Sequence, residues 1–107
     1  MAERRRADLR GEARVAAAGH GVVRLKDVRI PADLADVSPG GCKLRIQPEI
    51  VPVVEKLIPV AVALDFAGRT FGATIVWSAK GLLGCRFSHQ LRLDEVAALM
   101  AARRSGR

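Results

Sequence analysis

The chain has 107 residues, half of them hydrophobic, which suffices for one core and not for two. That apolar fraction excludes disorder throughout. Eighteen Lys and Arg against eleven Asp and Glu leave a net charge of +7, which selects for anions such as nucleotides, nucleic acid or acidic lipid. With three Phe, one Trp and no Tyr, the chain lacks the aromatic platforms on which single-stranded nucleic-acid binders stack bases.

Taken in order, residues 1–11 are polar and arginine-rich and are expected to form a flexible arm. Residues 12–104 hold the folded domain, and 105–107 are a tail. From Glu12 the pattern turns apolar through Ala13, Val15, Ala16 and Ala17 until Gly19-His20-Gly21 interrupts it. The alanines suit a helix and the glycines a hairpin; the segment is expected to be a strand, extended by Val22 to Leu25. Val28 to Val37 is a second strand, at an edge or bulged near Pro31, which cannot donate to a ladder. A polar turn, Asp36-Val37-Ser38-Pro39-Gly40-Gly41-Cys42, leads into a third strand at Lys43-Leu44-Arg45-Ile46.

Gln47 to Pro59 contains three prolines and is expected to be a connection or a short irregular helix. Ile58, Val60, Val62, Leu64 and Phe66 then alternate onto one face of a strand. Ala67-Gly68-Arg69 is of hairpin length, Phe71 to Trp77 resumes the strand pattern, Ser78 to Gly81 turns, and Leu82 to Phe87 is a further strand. Five or six short strands at this length favour a closed β-barrel. From Leu91 to Arg104 the spacing becomes helical, with Asp94 and Glu95 in the first turn as the helix dipole prefers. This helix is expected to cap the barrel; its exposed side or the basic tail is the alternative place for a partner.

Catalytic chemistry finds little support. Ser38 lacks a Gly-x-Ser-x-Gly elbow, and no phosphate-binding Gly-x-x-x-x-Gly-Lys-Ser/Thr loop is present. His20 and His89 are expected in solvent-facing turns. Asp33, Asp36 and Asp65 have no second carboxylate at a pairing distance in sequence. Cys42 and Cys85 lack a Cys-x-x-Cys context and are expected to be buried, unpaired thiols in a reducing compartment. No enzyme, metal or cofactor is therefore expected. The N-terminus has no apolar run resembling a signal peptide, and the longest apolar stretch, Leu57 to Leu64, is too short to span a bilayer, so the protein is expected to be cytoplasmic.

Recognition of an anionic nucleotide is better supported. Arg6 and Arg10 stand four residues apart in the arm. A guanidinium fork donates two parallel hydrogen bonds to guanine O6 and N7, grips phosphate, and stacks on a base. The Asp36 carboxylate complements the donor edge of guanine, while Ser38, Gly40 and Gly41 offer a hydroxyl and uncovered backbone.

These residues resemble the pattern of the PilZ domain family, bacterial receptors for the second messenger cyclic di-GMP. That pattern is Arg-x-x-x-Arg followed some tens of residues later by Asp/Asn-x-Ser-x-x-Gly, here Arg6 and Arg10, then Asp36, Ser38 and Gly41. Ala73-Thr74-Ile75-Val76-Trp77 and Leu83-Gly84-Cys85-Arg86-Phe87 are similar to the family's late strands. Arg10 and Arg14 also fit the arginine spacing; Arg6 and Arg10 are preferred because strand residues begin soon after Arg10. The resemblance implies a six-stranded antiparallel barrel with a C-terminal helix. It further implies an arm that clamps the ligand against the Asp-x-Ser-x-x-Gly turn, with Arg5 adding a contact that accompanies binding of a stacked ligand dimer. By the same resemblance the chain is a ligand-switched adaptor acting in trans on a protein partner. The competing expectations are a basic barrel that binds nucleic acid non-specifically and an adaptor that binds only protein.

Overall fold

A computed structural model describes residues 15–105 of the chain. The arginine arm, with Arg5, Arg6, Arg10 and Arg14, lies outside the described residues. Six strands follow: β1 (Val15–Leu25), β2 (Val28–Ser38), β3 (Gly41–Arg45), β4 (Val60–Phe66), β5 (Arg69–Ala79) and β6 (Leu82–Phe87). Each pairs antiparallel with its neighbours, and the order β1-β2-β3-β6-β5-β4 closes when β1 meets β4. Among the described residues there are also two helices, α1 (Val51–Glu55) between β3 and β4, and α2 (Leu93–Ser105) after β6.

The alternation read from sequence fills the barrel. Val62, Leu64 and Phe66 of β4 point inward, as do Phe71, Ala73 and Ile75 of β5 and Leu83, Cys85 and Phe87 of β6. Removing this apolar surface from water is the main term holding the barrel together, at about 25 cal/mol per Å² buried. Cys42 and Cys85 are buried and lie directly opposite each other on β3 and β6. Leu91, Val96 and Leu99 join the same core, so α2 seals one side of the barrel by packing on β1 and β2. Its start is fixed by the Arg92 backbone N–H donating to Glu95 Oε1 at 2.8 Å, the reciprocal half of a capping box.

The hairpins at Ala67-Gly68 and Lys80-Gly81 hold both central residues at positive φ, between 54° and 80°, the backbone that two-residue turns need to match strand twist. Two expectations change, and a third holds. Gly19-His20-Gly21 is not a turn but the middle of β1, and the hairpin lies at Lys26-Asp27. His20 is a strand residue whose Nδ1 contacts the Asp33 carboxylate on β2. Pro31 sits, as expected, at a local edge of the sheet, with no bulge in the pairing there. It pairs with Val22 in the part of β2 that runs past the end of β3, whose pairing starts at Asp33.

Candidate ligand-binding site

The site is set by two irregularities in strand pairing. Along β2, Ile30, Ala32 and Leu34 point inward, and simple alternation would send Asp36 into the core after them. A one-residue bulge at Ala35 shifts the phase, so that Val37 is fully buried and Asp36 faces outward. On β5, Phe71, Ala73 and Ile75 point inward and Trp77 would follow. A bulge at Val76 turns Trp77 outside, where it is 39% exposed. Each bulge moves one side chain from core to surface.

The two side chains belong to one row. Asp36 on β2 pairs with Lys43 on β3, Lys43 pairs with Gly84 on β6, and Gly84 pairs with Trp77 on β5. Lys43 Nζ lies 3.8 Å from Asp36 Oδ2 and 5.9 Å from the centre of the Trp77 ring, so the ammonium bridges a carboxylate and an indole face. Gly84 is the floor beneath the ring: a Cβ there would fall inside the indole, within 2.5 Å of Cδ2. In the next row Gly41 pairs with the exposed Arg86, which adds a second cation beside the turn.

The turn itself is braced rather than open. Ser38 is buried, and its hydroxyl donates to the Gly41 carbonyl at 3.3 Å. The Pro39 carbonyl accepts from the Leu91 N–H at 2.8 Å, and the Gly40 carbonyl from the Phe87 N–H at 2.9 Å. A Cβ at Gly41 would overlap the Cys85 carbonyl oxygen, so only glycine lets β3 approach β6 this closely. Among the residues expected at the site, Asp36 therefore presents its side chain, while Ser38, Gly40 and Gly41 shape the turn. The arginines Arg5, Arg6 and Arg10 lie outside the described residues. The described chain nevertheless enters the barrel beside this row, since Val15 pairs with Val37 and Ala16 with Asp36.

Sequence reasoning missed Lys43, Trp77 and Arg86 as site residues. Their signal was faint: an outward position depends on a bulge that alternation does not announce, and the row joins strands some forty residues apart. Among the described residues no three His, Cys, Asp or Glu side chains gather to hold a metal, and no helix is long and apolar enough to cross a membrane.

No curated protein matches the chain. Its fold is similar to a solved structure described as the PilZ domain of CeSA from a cellulose-synthesizing bacterium. The TM-score is 0.57 at 17% sequence identity, covering 86% of this chain and 95% of that one. At that identity the likeness bears on the fold alone, but a family model also matches the sequence directly over residues 4–102, taking in the arginine motif, the turn and the strands that carry the row. With the barrel closed in this order and nearly the whole chain matched, the protein belongs to the PilZ domain family.

Proposed function

We propose that this chain binds cyclic di-GMP on the outer face of β2, β3, β6 and β5 and works as a ligand-switched adaptor on a protein partner in trans. The observation that supports it most is the row Asp36–Lys43–Gly84–Trp77. Its carboxylate accepts from the N1 and N2 donors of a guanine, its indole offers a stacking face, and Lys43 with Arg86 supplies cations for phosphate. Arg6 and Arg10, with Arg5 before them, complete the reading as guanidinium forks brought in by the chain that enters beside Asp36. Because the family is a family of receptors, the reading involves no catalytic group, metal or cofactor, and it places the protein in the cytoplasm. Neutralising the arginines with ligand phosphates orders the arm and changes the surface a partner meets.

The test is isothermal titration with cyclic di-GMP, with GTP and cyclic di-AMP as controls. Saturable heat for cyclic di-GMP alone, lost in Arg10→Ala and Asp36→Ala, is the expected result. Equal response to any polyanion with a steep salt dependence would replace the reading by non-specific nucleic-acid binding. No heat with any nucleotide would leave a protein-only adaptor.

A further inference from the structure

A second polar concavity lies at the other end of β2. A groove of about 580 Å³ runs over the outer face where the β1–β2 and β4–β5 hairpins sit side by side, lined among others by Arg24, Arg29, Asp65, Arg69 and Thr70. Arg24 and Arg29 are direct cross-strand partners. Like charges placed opposite each other on a sheet repel, and a bound anion relieves that repulsion. Among the described residues only one carboxylate, Asp65, lines the groove. Asp65 accepts from Arg24 Nε at 2.6 Å, from Arg24 Nη2 at 3.2 Å and from Thr70 Oγ1 at 2.7 Å.

These donors, the Arg24 guanidinium first, hold the Asp65 carboxyl at about 2, so it stays anionic and fully engaged. The consequence is a guanidinium fixed in place, with the N–H groups not used on Asp65 left for another acceptor. Arg29 and Arg69 are exposed and form no ion pair among the described residues. Three guanidinium groups against one carboxylate leave an unbalanced positive groove. Seven residues of β2 separate Arg29 from Asp36, about 23 Å at about 3.3 Å per residue, so the groove is not part of the row described above.

The lining also bears on the kind of anion. Among the described residues the wall has no exposed Phe, Tyr or Trp: Phe66 is 4% exposed, and the other ring, the His20 imidazole, is engaged by the Asp33 carboxylate, so the groove gives a base no broad stacking platform. The arginines stand on two different hairpins, a spread that matches carboxylates spaced along an extended chain better than one compact phosphate. We propose that this groove docks an acidic, extended segment of a partner protein, whose carboxylates meet Arg29, Arg69 and the remaining edge of Arg24. The proposal does not depend on cyclic di-GMP binding, and both surfaces can be occupied together.

The experiment is titration of the ¹⁵N-labelled full chain with a blocked Glu-Glu-Leu-Glu-Glu peptide at low salt, read by amide and arginine Nε shifts. A Lys-Lys-Leu-Lys-Lys peptide, inorganic phosphate and a short single-stranded DNA are run beside it. Saturable shifts at residues 24, 29 and 68–70 with the acidic peptide are expected. The double variant Arg29→Glu/Arg69→Glu should weaken them about tenfold or more, with Asp36→Ala leaving them unchanged. Arg29→Gln/Arg69→Gln should fall between, which separates lost attraction from added repulsion. No saturable shift, shifts spread evenly over all arginines, or unchanged binding by the charge-reversed variant would each overturn the proposal. So would phosphate or DNA moving the same amides at lower concentration than the peptide.

Discussion

Replacing Gly84 by alanine asks whether the indole of Trp77 is held by the sheet or merely rests on it. The added methyl would occupy the space of the ring, whose carbons need about 3.5–4.0 Å. Because the obstacle is a side chain already 39% exposed, the ring can tilt outward and leave the strands in place. Tilting uncovers about 70 Å², roughly a third of the area a tryptophan carries, which costs about 1.7 kcal/mol at about 25 cal/mol per Å². Loss of the Lys43 contact adds about 0.5 kcal/mol. Alanine recovers about 0.7 kcal/mol over glycine through the reduced freedom of the unfolded chain. The net expectation is a loss of about 1.5 kcal/mol. Gly41→Ala supplies the contrast, since its methyl meets the Cys85 backbone and nothing there can swing aside. Separating β3 from β6 locally costs about three ladder hydrogen bonds at about 1 kcal/mol each, which the same gain of about 0.7 kcal/mol from alanine brings to about 2.3 kcal/mol. Urea unfolding followed by fluorescence measures both, because Trp77 is the sole tryptophan and its emission reports the ring directly. Gly84→Ala should red-shift the native emission and lower the midpoint modestly; Gly41→Ala should lower it about one and a half times as far with little change in emission. If Gly84→Ala destabilised as strongly as Gly41→Ala without any red shift, the backbone would be yielding rather than the ring, and the reasoning would be wrong.

Other expectations follow from the same contacts. Ser38→Ala removes a buried donor to the Gly41 carbonyl and should cost about 1 kcal/mol or more, visible as faster amide exchange at Leu91, whose N–H rests on the Pro39 carbonyl of the same turn. Asp65 lies at about 2 in the folded chain against an ordinary 3.8, chiefly through Arg24 and then Thr70. Its contribution is thus complete above about pH 4 and lost as the pH falls toward 2, and Asp65→Asn should flatten that part of an acid-unfolding curve. Leu99→Ala, at a position 2% exposed where α2 meets the core, should cost about 3 kcal/mol by urea unfolding. A loss under about 1 kcal/mol would mean that α2 is not part of the cooperative unit.

Much of the barrel was legible because β4 keeps strict alternation and β5 resumes it after the Ala67-Gly68 turn, which between two such runs could only be a hairpin. The C-terminal helix announced itself through spacing and the acidic first turn. Gly19-His20-Gly21 misled because glycine was read as local punctuation. Gly21 is small for a distant reason: a Cβ there would collide with the Asp65 carbonyl and the Phe66 ring on β4, the strand that closes the barrel. Pro31 did signal an edge, but which edge depends on where β3 stops, which no local pattern tells. At the site, the Asp36 turn was visible as a motif, yet its outward aim comes from the bulge at Ala35, and Trp77 owes its exposure to the bulge at Val76. Local pattern carries strand and turn; phase shifts and cross-strand rows are properties of the closed sheet.

The placement of Pro31 has a consequence for solubility. Counting pairs back from the Leu25–Val28 hairpin makes Val22–Pro31 a non-hydrogen-bonded pair, so the nitrogen of Pro31 faces away from β1, toward the side that β3 does not reach. That stretch is where the otherwise closed sheet leaves strand backbone open on one side. A residue with an N–H would offer a docking point for a strand from another molecule, the first step of edge-to-edge aggregation. Proline offers none, so the gap in the barrel wall gives a neighbouring chain no foothold.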